Sequence, residues 1–217
     1  MHKHNALMSQ SEIEICIYNL LKQTEVKFDT QHVSKLAALV VLLKKWSNAL
    51  NLTAIRDEKD IITLHILDSA VLSPLLLGKN IADVGTGAGF PGLVVAILNE
   101  DRHFTLIDSV AKKLSFVRTA CVELGISNVD IINNRCENIV VDTPFDCIVS
   151  RAFAPLNRMV NWCLPLLSDN GSFIAMKANL TDEEIKAVPD SVKIEKIERL
   201  HVPNLDAMRQ AVFITKA

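Results

Sequence analysis

Apolar side chains recur at helical spacing along the first part of the chain, up to about residue 78. Residues that cap helix N-termini precede two of these segments, and a proline stands near the end of the third. The pattern predicts three helices, which begin at Ser9 or Ser11, at Asp29 or Thr30, and at about Ile61, the last extending to about Leu76. Residues 1–78 are therefore predicted to form a helical N-terminal extension packed on the rest of the molecule.

The hydrophobic pattern changes at Asn80, beyond which short apolar segments alternate with amphipathic ones. The predicted strands are 81–84, 104–108, 129–133, 146–150 and 171–177. Helices are expected after Pro91, over 110–124 with Gly125 at its end, and after Pro155. A rhythm of strand, helix, strand and helix is typical of a parallel sheet with right-handed crossover connections.

Two further segments, 192–202 and 211–216, have strand patterns without room for a helix between them. They predict a terminal hairpin, so one of the two strands runs antiparallel to the rest of the sheet. The expected fold is α/β and Rossmann-like, a mostly parallel twisted sheet with an antiparallel C-terminal strand and helices on both faces. This core spans 79–217 and forms a single structural unit with the helical extension.

Composition limits the classes of protein to which the chain can belong. Its 217 residues are 49% apolar and carry a formal net charge of −2, which excludes a generic polybasic nucleic-acid binder. The five cysteines include no C-x-x-C pair, so we expect free thiols in a reducing compartment. The N-terminus lacks a secretory pattern and the longest apolar run, 36–43, is too short to span a bilayer. These features predict a soluble, cytoplasmic protein.

The segment DVGTGAGFPG (83–92) follows the first predicted strand and leads into a helix, where open α/β sheets bind ligands. It contains the G-x-G-x-x-G dinucleotide pattern, and Asp108 lies about twenty residues further on, where a ribose-binding acid is expected. An NAD(P)-dependent oxidoreductase is therefore one interpretation. Asp83 at the strand end, the D-x-G-x-G-x-G spacing and the terminal strand pair favour an S-adenosylmethionine-dependent methyltransferase. Asp83 is expected to hold the loop or to reach the cofactor through water.

Segments between Trp46 and Lys177 resemble, in the same order, motifs of the RsmG (GidB) family of bacterial small-subunit ribosomal RNA methyltransferases. DVGTGAGFPG together with SRAF (150–153) is the most specific combination. One departure is Lys177-Ala178, where the family typically has Lys-Gly. The other segments that carry the resemblance are WSNALNLTAIRD (46–57), HILDS (65–69), FTLIDSVAKK (104–113), FVRTACVELG (116–125), NRCEN (134–138) and FDCIVSRAFAPL (145–156).

The resemblance implies methylation of guanine N7 in 16S ribosomal RNA, with S-adenosyl-L-methionine as cofactor and 16S RNA or the small ribosomal subunit as partner. This chemistry needs no general base, because the methyl group is already activated on a positively charged sulfur and the N7 lone pair is free at neutral pH. We expect a monomer, with neither a metal nor a membrane partner. A non-catalytic RNA-binding or ribosome-binding protein on a methyltransferase fold is an alternative from another functional class.

The expected cofactor site combines the glycine loop with the ends of the following strands. Asp108 is expected to accept hydrogen bonds from the ribose hydroxyls or, alternatively, to cap the next helix. By resemblance, Cys136 and Glu137 flank the adenine, Glu137 being alternatively a solvated charge. Also by resemblance, Phe90 contacts the cofactor, with a place in the core as the alternative, and Arg151 belongs to the cofactor site. Arg151 could also meet an RNA phosphate, and it is the predicted catalytic residue because a side chain at the end of the fourth strand can align cofactor and base. The predicted cofactor set is Asp83, Gly85, Gly87, Gly89, Phe90, Asp108, Cys136, Glu137 and Arg151.

Basic side chains are predicted to border this site and to meet RNA. Lys112 and Lys113 stand in the first turn of the 110–124 helix, where the helix dipole disfavours cations. An anion opposite them is one explanation of that placement, and solvent screening is the other. His65 and Asp68 lie one turn apart and form a candidate catalytic pair, with helix capping or packing as the alternative. The predicted RNA-contact set is Lys112, Lys113, Arg118, Arg135 and Lys177.

Overall fold

The computed structural model describes residues 7–55, 57–151 and 154–217, and a seven-stranded sheet lies at its centre. The strands are β1 (Asn80–Val84), β2 (His103–Asp108), β3 (Val129–Asn133), β4 (Phe145–Arg151), β5 (Leu167–Lys177), β6 (Val192–Leu200) and β7 (Arg209–Lys216). Their spatial order is β3-β2-β1-β4-β5-β7-β6. The direction of winding therefore reverses between β1 and β4, which creates a crevice at the carboxyl ends of these strands.

Strand pairing confirms the predicted fold class. The neighbours from β3 through β5 are all parallel, whereas β7 runs antiparallel to both β5 and β6. The antiparallel strand is thus β7, because the connection from β6 is too short for a crossover helix. One boundary differs clearly from the prediction: β5 begins at Leu167 rather than at 171, since Leu167 already pairs with Phe145 ahead of a bulge.

The first two predicted helices are α1 (Gln10–Leu21) and α2 (Thr30–Leu50). Their capping contacts decide between the alternatives left by the sequence. Ser9 caps α1 by accepting a hydrogen bond from the amide of Glu12 at 3.2 Å. Asp29 caps α2 in the same way, at 2.9 Å from an amide in the first turn.

The third predicted helix, about 61–76, has different bounds in the structure. It begins as α3 (Glu58–Ile61), because the Asp57 carboxylate accepts two amides of its first turn. It continues through a π-helical turn (Ile62–Leu67) and ends with α4 (Asp68–Ala70). The residues around Pro74 form only a separate short 3₁₀ turn, Ser73–Leu75. Wider turns of this type often occur at functional sites, and this one carries His65.

The remaining helices connect the strands. They are α5 (Gly92–Leu98), α6 (Ala111–Leu124), α7 (Leu156–Cys163) and α8 (Asp182–Lys186), of which α8 was not predicted. Helix α6 ends at Gly125, which has a positive φ of 64°, as the sequence predicted. Phe116 of α6 is fully buried, and its ring packs edge-on against Trp46 of α2 at 5.8 Å.

Buried apolar residues form one cluster on each face of the sheet. The cluster with Phe104 also contains residues of α1, α2, α5 and α6, so the helices before β1 share a hydrophobic core with the sheet. The cluster with Phe173 is covered by α7. Alternate residues of the inner strands enter the two clusters, as expected where a sheet is buried on both faces, whereas the edge strand β6 is largely exposed. Within the described ranges, no helix combines the length and apolar character that a bilayer crossing requires.

Candidate active site

A cleft of about 520 Å³ opens at the carboxyl ends of β1, β2 and β4, where the winding of the sheet reverses. Ligands of open α/β sheets bind at positions of this kind. The structure therefore brings the glycine loop, the end of β2 and the end of β4 to one place. The predicted site residues that line the cleft are Gly85, Asp108, Lys113, Arg135, Cys136, Glu137 and Arg151.

Asp83 fixes the glycine loop from inside the molecule. Its carboxylate is fully buried, and Oδ2 accepts hydrogen bonds from Thr86 Oγ1 at 2.6 Å and from the Gly92 amide at 2.8 Å. The second oxygen, Oδ1, has no hydrogen-bond partner within the described part of the chain. Burial raises the pKa of Asp83 to about 7, and the two hydrogen bonds oppose that rise. These contacts support one of the two roles expected for Asp83, which is to hold the loop.

Glycine is needed at different positions of the loop for different structural reasons. Gly85, with a φ of 71°, lines the cleft, where the missing side chain leaves the backbone open to a ligand. A Cβ on Gly92 would lie 2.6 Å from Cγ of Leu106 and 2.8 Å from the Asp83 carboxylate. A Cβ on Gly89 would overlap the Leu93 side chain. Close packing therefore explains Gly89 and Gly92 without a cofactor, and the cofactor contact predicted for Gly89 stays a prediction.

Asp108 joins the glycine loop to the start of α6. Its Oδ2 accepts a hydrogen bond from the Gly87 amide at 2.8 Å, and its Oδ1 accepts one from the Val110 amide at 2.8 Å. The side chain nevertheless borders the cleft. Because each carboxylate oxygen carries two lone pairs, both oxygens remain able to accept a further hydrogen bond from a ligand. The geometry thus accommodates both roles that the sequence suggested for Asp108.

The 3₁₀ turn Cys136–Asn138 forms the wall of the cleft beyond β3. Cys136 is buried, and its thiol donates a hydrogen bond to Glu137 Oε2 at 3.5 Å. Glu137 also forms an ion pair with Arg135 at 3.3 Å, at an exposed edge. The carboxylate of Glu137 is therefore held at the rim rather than left as an isolated solvated charge.

Helix α7 contributes two cleft residues that the sequence reasoning missed, Arg158 and Trp162. They stand four residues apart, so they share one face of the helix. A polar residue and an aromatic residue at this spacing, after a proline that follows β4, could have predicted from the sequence that this helix face lines the cleft. Together they add an aromatic surface and a cation to the lining of the cleft.

Arg151 ends β4 and reaches back to the π-helical turn. Its Nη1 donates to the Leu64 carbonyl at 2.9 Å, and its Nη2 donates to His65 Nδ1 at 3.2 Å. The guanidinium also lies 6.0 Å from the centre of the Phe90 ring, within cation–π range. Arg151 borders both the cleft and a second cavity of about 290 Å³. Its position is therefore fixed by groups that come from the N-terminal helices.

His65 has a defined tautomer. Since Nδ1 accepts the Arg151 hydrogen bond, the ring proton is on Nε2, which donates to Thr53 Oγ1 at 3.0 Å. Burial, followed by the charge of Arg151, lowers the pKa of His65 to about 3. The ring stacks on Phe90 at 4.7 Å, and Phe90 itself is buried in the core. His65 is thus a neutral packing residue, and the cofactor contact predicted for Phe90 stays a prediction.

The suggested partner of His65, Asp68, is engaged elsewhere. Its carboxylate accepts hydrogen bonds from Nε of Arg209 at 3.1 and 3.3 Å, across the boundary between α4 and β7. Burial raises the pKa of Asp68, while Arg209 opposes that rise. These contacts describe the packing alternative rather than a catalytic pair.

The predicted RNA-contact residues fall into two groups. Lys112 and Arg118 are exposed on α6, and Lys113 lies at the rim of the cleft. Arg135 is paired with Glu137, as described above. Lys177 is half-buried and forms an ion pair with Glu184 of α8 at 2.6 Å. Arg135 is exposed despite its ion pair, whereas Lys177 is held between β5 and α8, so Lys177 is the predicted contact least open to RNA.

Some sequence signals fall outside the described residues. These are the Ala152 and Phe153 positions of the SRAF motif, Arg56 of the 46–57 segment, and residues 1–6. Within the described ranges, His, Cys, Asp and Glu side chains form no group of three or more that would hold a metal ion.

The sheet order, the antiparallel β7 and the cleft at the glycine loop define a class I Rossmann-like methyltransferase fold. Solved structures of methyltransferases share it. Coclaurine N-methyltransferase, solved with N-methylheliamine and SAH, aligns with a TM-score of 0.55 over 96% of each chain at 10% identity. A ribosomal protein L11 methylase from Lactobacillus delbrueckii subsp. bulgaricus aligns with a TM-score of 0.51, over 69% of this chain and 76% of that one, at 16% identity.

Sequence comparison gives the family. The GidB family, described as rRNA small subunit methyltransferase G, matches residues 32–213. A Ribosomal RNA small subunit methyltransferase G from Pasteurella multocida is 44% identical over 90% of this chain and 93% of the relative. The protein of that name from Escherichia coli is 40% identical over 90% and 94%. The chain belongs to the GidB family, which confirms the resemblance seen in its motifs.

Proposed function

We propose that the protein transfers a methyl group from S-adenosylmethionine to N7 of a guanine in 16S ribosomal RNA of the small ribosomal subunit. The observation that supports this most is the convergence of Gly85, Asp108 and Arg151 on one cleft in a chain of the GidB family. The relatives' names supply the RNA class, and the resemblance of the motifs supplies the acceptor atom.

The residues of the cleft fit this cofactor. Asp108 offers acceptor lone pairs to the ribose hydroxyls, and Gly85 lets the ligand approach the backbone. Asp83 Oδ1, which has no hydrogen-bond partner among the described residues, is a buried acceptor that a water molecule or the cofactor's ammonium group would satisfy. Cys136 and Glu137 border the part of the cleft that would hold the adenine. When bound, S-adenosylmethionine supplies a methyl group activated by a positively charged sulfur.

The chain contributes mainly alignment. Arg151 is held by Leu64 and His65 and borders both the cleft and the neighbouring cavity, so it can fix a base against the cofactor. The attacking N7 atom has a free lone pair and no proton to lose, which removes the need for a general base. His65 is unsuited to that role, because its basic nitrogen already accepts a hydrogen bond from Arg151.

The single-turnover methylation rate at saturating cofactor is therefore expected to be nearly constant from pH 6 to about 9. His65, with its pKa lowered to about 3, stays neutral across this range. Asp83, with its pKa raised to about 7, is a buried group whose titration would fall within it. The profile is measured by rapid quench for the wild-type protein and for Asp83→Asn, which removes that titration.

A rise of at least tenfold in the methylation rate around pH 7 would contradict this mechanism if it persists in Asp83→Asn and disappears in His65→Ala. It would indicate a base-assisted acceptor, such as an exocyclic amine or a hydroxyl.

Reversing the charges at the start of α6 is expected to weaken RNA binding without affecting the cofactor. In Lys112→Glu with Lys113→Glu, the affinity for small-subunit RNA should fall by about tenfold at low salt, and the difference should shrink as salt is added. Affinity for S-adenosylhomocysteine should stay within about twofold, since among the described residues neither amine donates a hydrogen bond to the glycine loop, although Lys113 lies at the rim of the cleft. Binding is followed by fluorescence anisotropy over a salt series.

The matched control is Lys22→Glu with Lys27→Glu, which makes the same change in net charge at exposed positions outside the cleft wall. If both double variants bind RNA with the same affinity and the same salt dependence, Lys112 and Lys113 are only a solvated helix end.

The proposed function is tested with purified protein in two assays. Calorimetry should show binding of S-adenosylhomocysteine and none of NAD, whereas the reverse result would favour the oxidoreductase. Labelled S-adenosylmethionine should then transfer its methyl group to small ribosomal subunits from cells that lack this gene, but not to large subunits. Cofactor binding without transfer to either subunit or to naked 16S RNA would favour a non-catalytic RNA-binding protein.

A further inference from the structure

A second cavity, of about 290 Å³, lies beside the cleft and shares Arg151 with it. We call it the Arg151 cavity. It opens between the π-helical turn, the end of β5 and the start of β7. Its lining residues include Leu64, His65, Asp68, Arg151, Met176 and Arg209. A ligand there would lie next to the methyl-transfer site without occupying the cofactor cleft.

The lining of the Arg151 cavity combines apolar surface with a fixed acceptor. Ile55, Leu64 and Met176 provide the apolar surface. Asp68 provides a buried carboxylate, oriented by Nε of Arg209 at 3.1 Å from Oδ1 and 3.3 Å from Oδ2. Each of its oxygens retains a lone pair for another donor. This combination fits a flipped nucleobase, which stacks on apolar side chains and is recognised along its Watson–Crick edge.

We propose that the Arg151 cavity receives the target guanine, with its O6 oxygen at Arg151 and its N1–H and 2-amino groups toward Asp68. The proposal rests on the proposed function and adds the substrate site. In guanine, O6 lies between N1 and N7 along the edge of the base. With O6 at the shared wall, N1 points into the cavity and N7 points toward the cofactor cleft.

Arg151 is suited to hold O6 because further N–H groups remain on the fork that contacts Leu64 and His65. A donor at O6 leaves the N7 lone pair free for the attack. The same arrangement disfavours adenine, which would place its 6-amino group against Arg151 and the lone pair of N1 against Asp68. A donor would then face a donor at Arg151, and an acceptor would face an acceptor at Asp68. Buried polar groups left unpaired in this way are costly.

Filling the Arg151 cavity tests whether the base enters it. Ala178 lines the cavity from the exposed bend after β5, so Ala178→Trp is expected to fold normally. We expect its single-turnover methylation rate to fall at least twentyfold, with S-adenosylhomocysteine affinity within twofold and an unchanged melting temperature. Asn179→Trp, at the next exposed residue and outside the cavity lining, should methylate at the wild-type rate. Equal wild-type rates in both variants would overturn the proposal.

A second test uses the wild-type protein and changes the base. Small-subunit RNA is prepared with inosine or 2-aminopurine at the methylated position. Inosine keeps O6, N1–H and N7, whereas 2-aminopurine keeps N7 but has neither O6 nor N1–H. Inosine should react within tenfold of guanosine, and 2-aminopurine at least 100-fold more slowly. Similar rates for guanosine and 2-aminopurine would overturn the cavity assignment alone, whereas no transfer either to the guanosine RNA or to small subunits reconstituted with it would refute the proposed function itself.

Discussion

Replacing Arg151 with alanine is expected to lower the single-turnover methylation rate by at least about 100-fold, or roughly 2.7 kcal/mol of transition-state stabilisation. The guanidinium is held by the Leu64 carbonyl and by His65, in the wall between the cleft and the Arg151 cavity. Alanine removes the only charged group placed to align base and cofactor together among the described residues of that wall. The rate is measured at saturating cofactor and RNA.

Arg151→Lys should recover little of this rate, because a single ammonium cannot replace the planar fork that contacts two fixed acceptors. Arg199→Ala serves as the matched control, since Arg199 is exposed on β6 and borders neither the cleft nor the Arg151 cavity. A rate for Arg151→Ala within threefold of the control would show that Arg151 has no part in alignment.

Replacing Asp108 with alanine is expected to weaken S-adenosylhomocysteine binding by about 30-fold, equivalent to about 2 kcal/mol. The loss has two sources: the ribose hydroxyls lose their acceptor, and the amides of Gly87 and Val110 lose theirs. The variant should therefore also melt at a lower temperature than the wild-type protein. Titration calorimetry and thermal unfolding without cofactor measure the two effects separately.

Asp142→Ala is the control for this experiment, because Asp142 is exposed and lies outside the cleft wall. Wild-type affinity in Asp108→Ala would remove Asp108 from the cofactor site. A lower melting temperature with unchanged affinity would leave it only the role of joining the glycine loop to α6.

Much of the fold was predictable because its signals are local. Ser9 and Asp29 stand directly before apolar periodic segments and cap them. Gly125 ends α6 because a backbone position with a positive φ favours glycine. The short connection between β6 and β7 required an antiparallel strand, and the pairing of β7 confirms it.

The internal contacts of the site were not predictable, because they join residues far apart in the sequence. Arg151 contacts Leu64 and His65 across 87 and 86 residues. The sequence indicated that Arg151 belonged to a site, but it gave no sign of the π-helical turn that presents these two groups. Asp68 likewise looked like a partner of His65 until β7 placed Arg209 beside it.

Charge read from the sequence also says little about which cations are open to a ligand. Arg135 and Lys177 were grouped with the α6 lysines, yet both have carboxylate partners, Glu137 and Glu184. The partner of Lys177 comes from α8, a short helix that periodicity did not reveal. The Arg135–Glu137 pair is local, whereas the Lys177–Glu184 pair depends on how α8 packs against the end of β5, which the sequence pattern did not show.

Guanine N7 of 16S RNA is the proposed acceptor of the methyl group. The most direct measurement is nuclease digestion and mass spectrometry of 16S RNA from small subunits of a strain without this gene, before and after incubation with the protein and S-adenosylmethionine. We expect one new methylated nucleoside, 7-methylguanosine, at a single position, and none after the same incubation time with the Arg151→Ala variant. Methylation on another base, on an exocyclic amine or on a ribose hydroxyl would contradict this assignment.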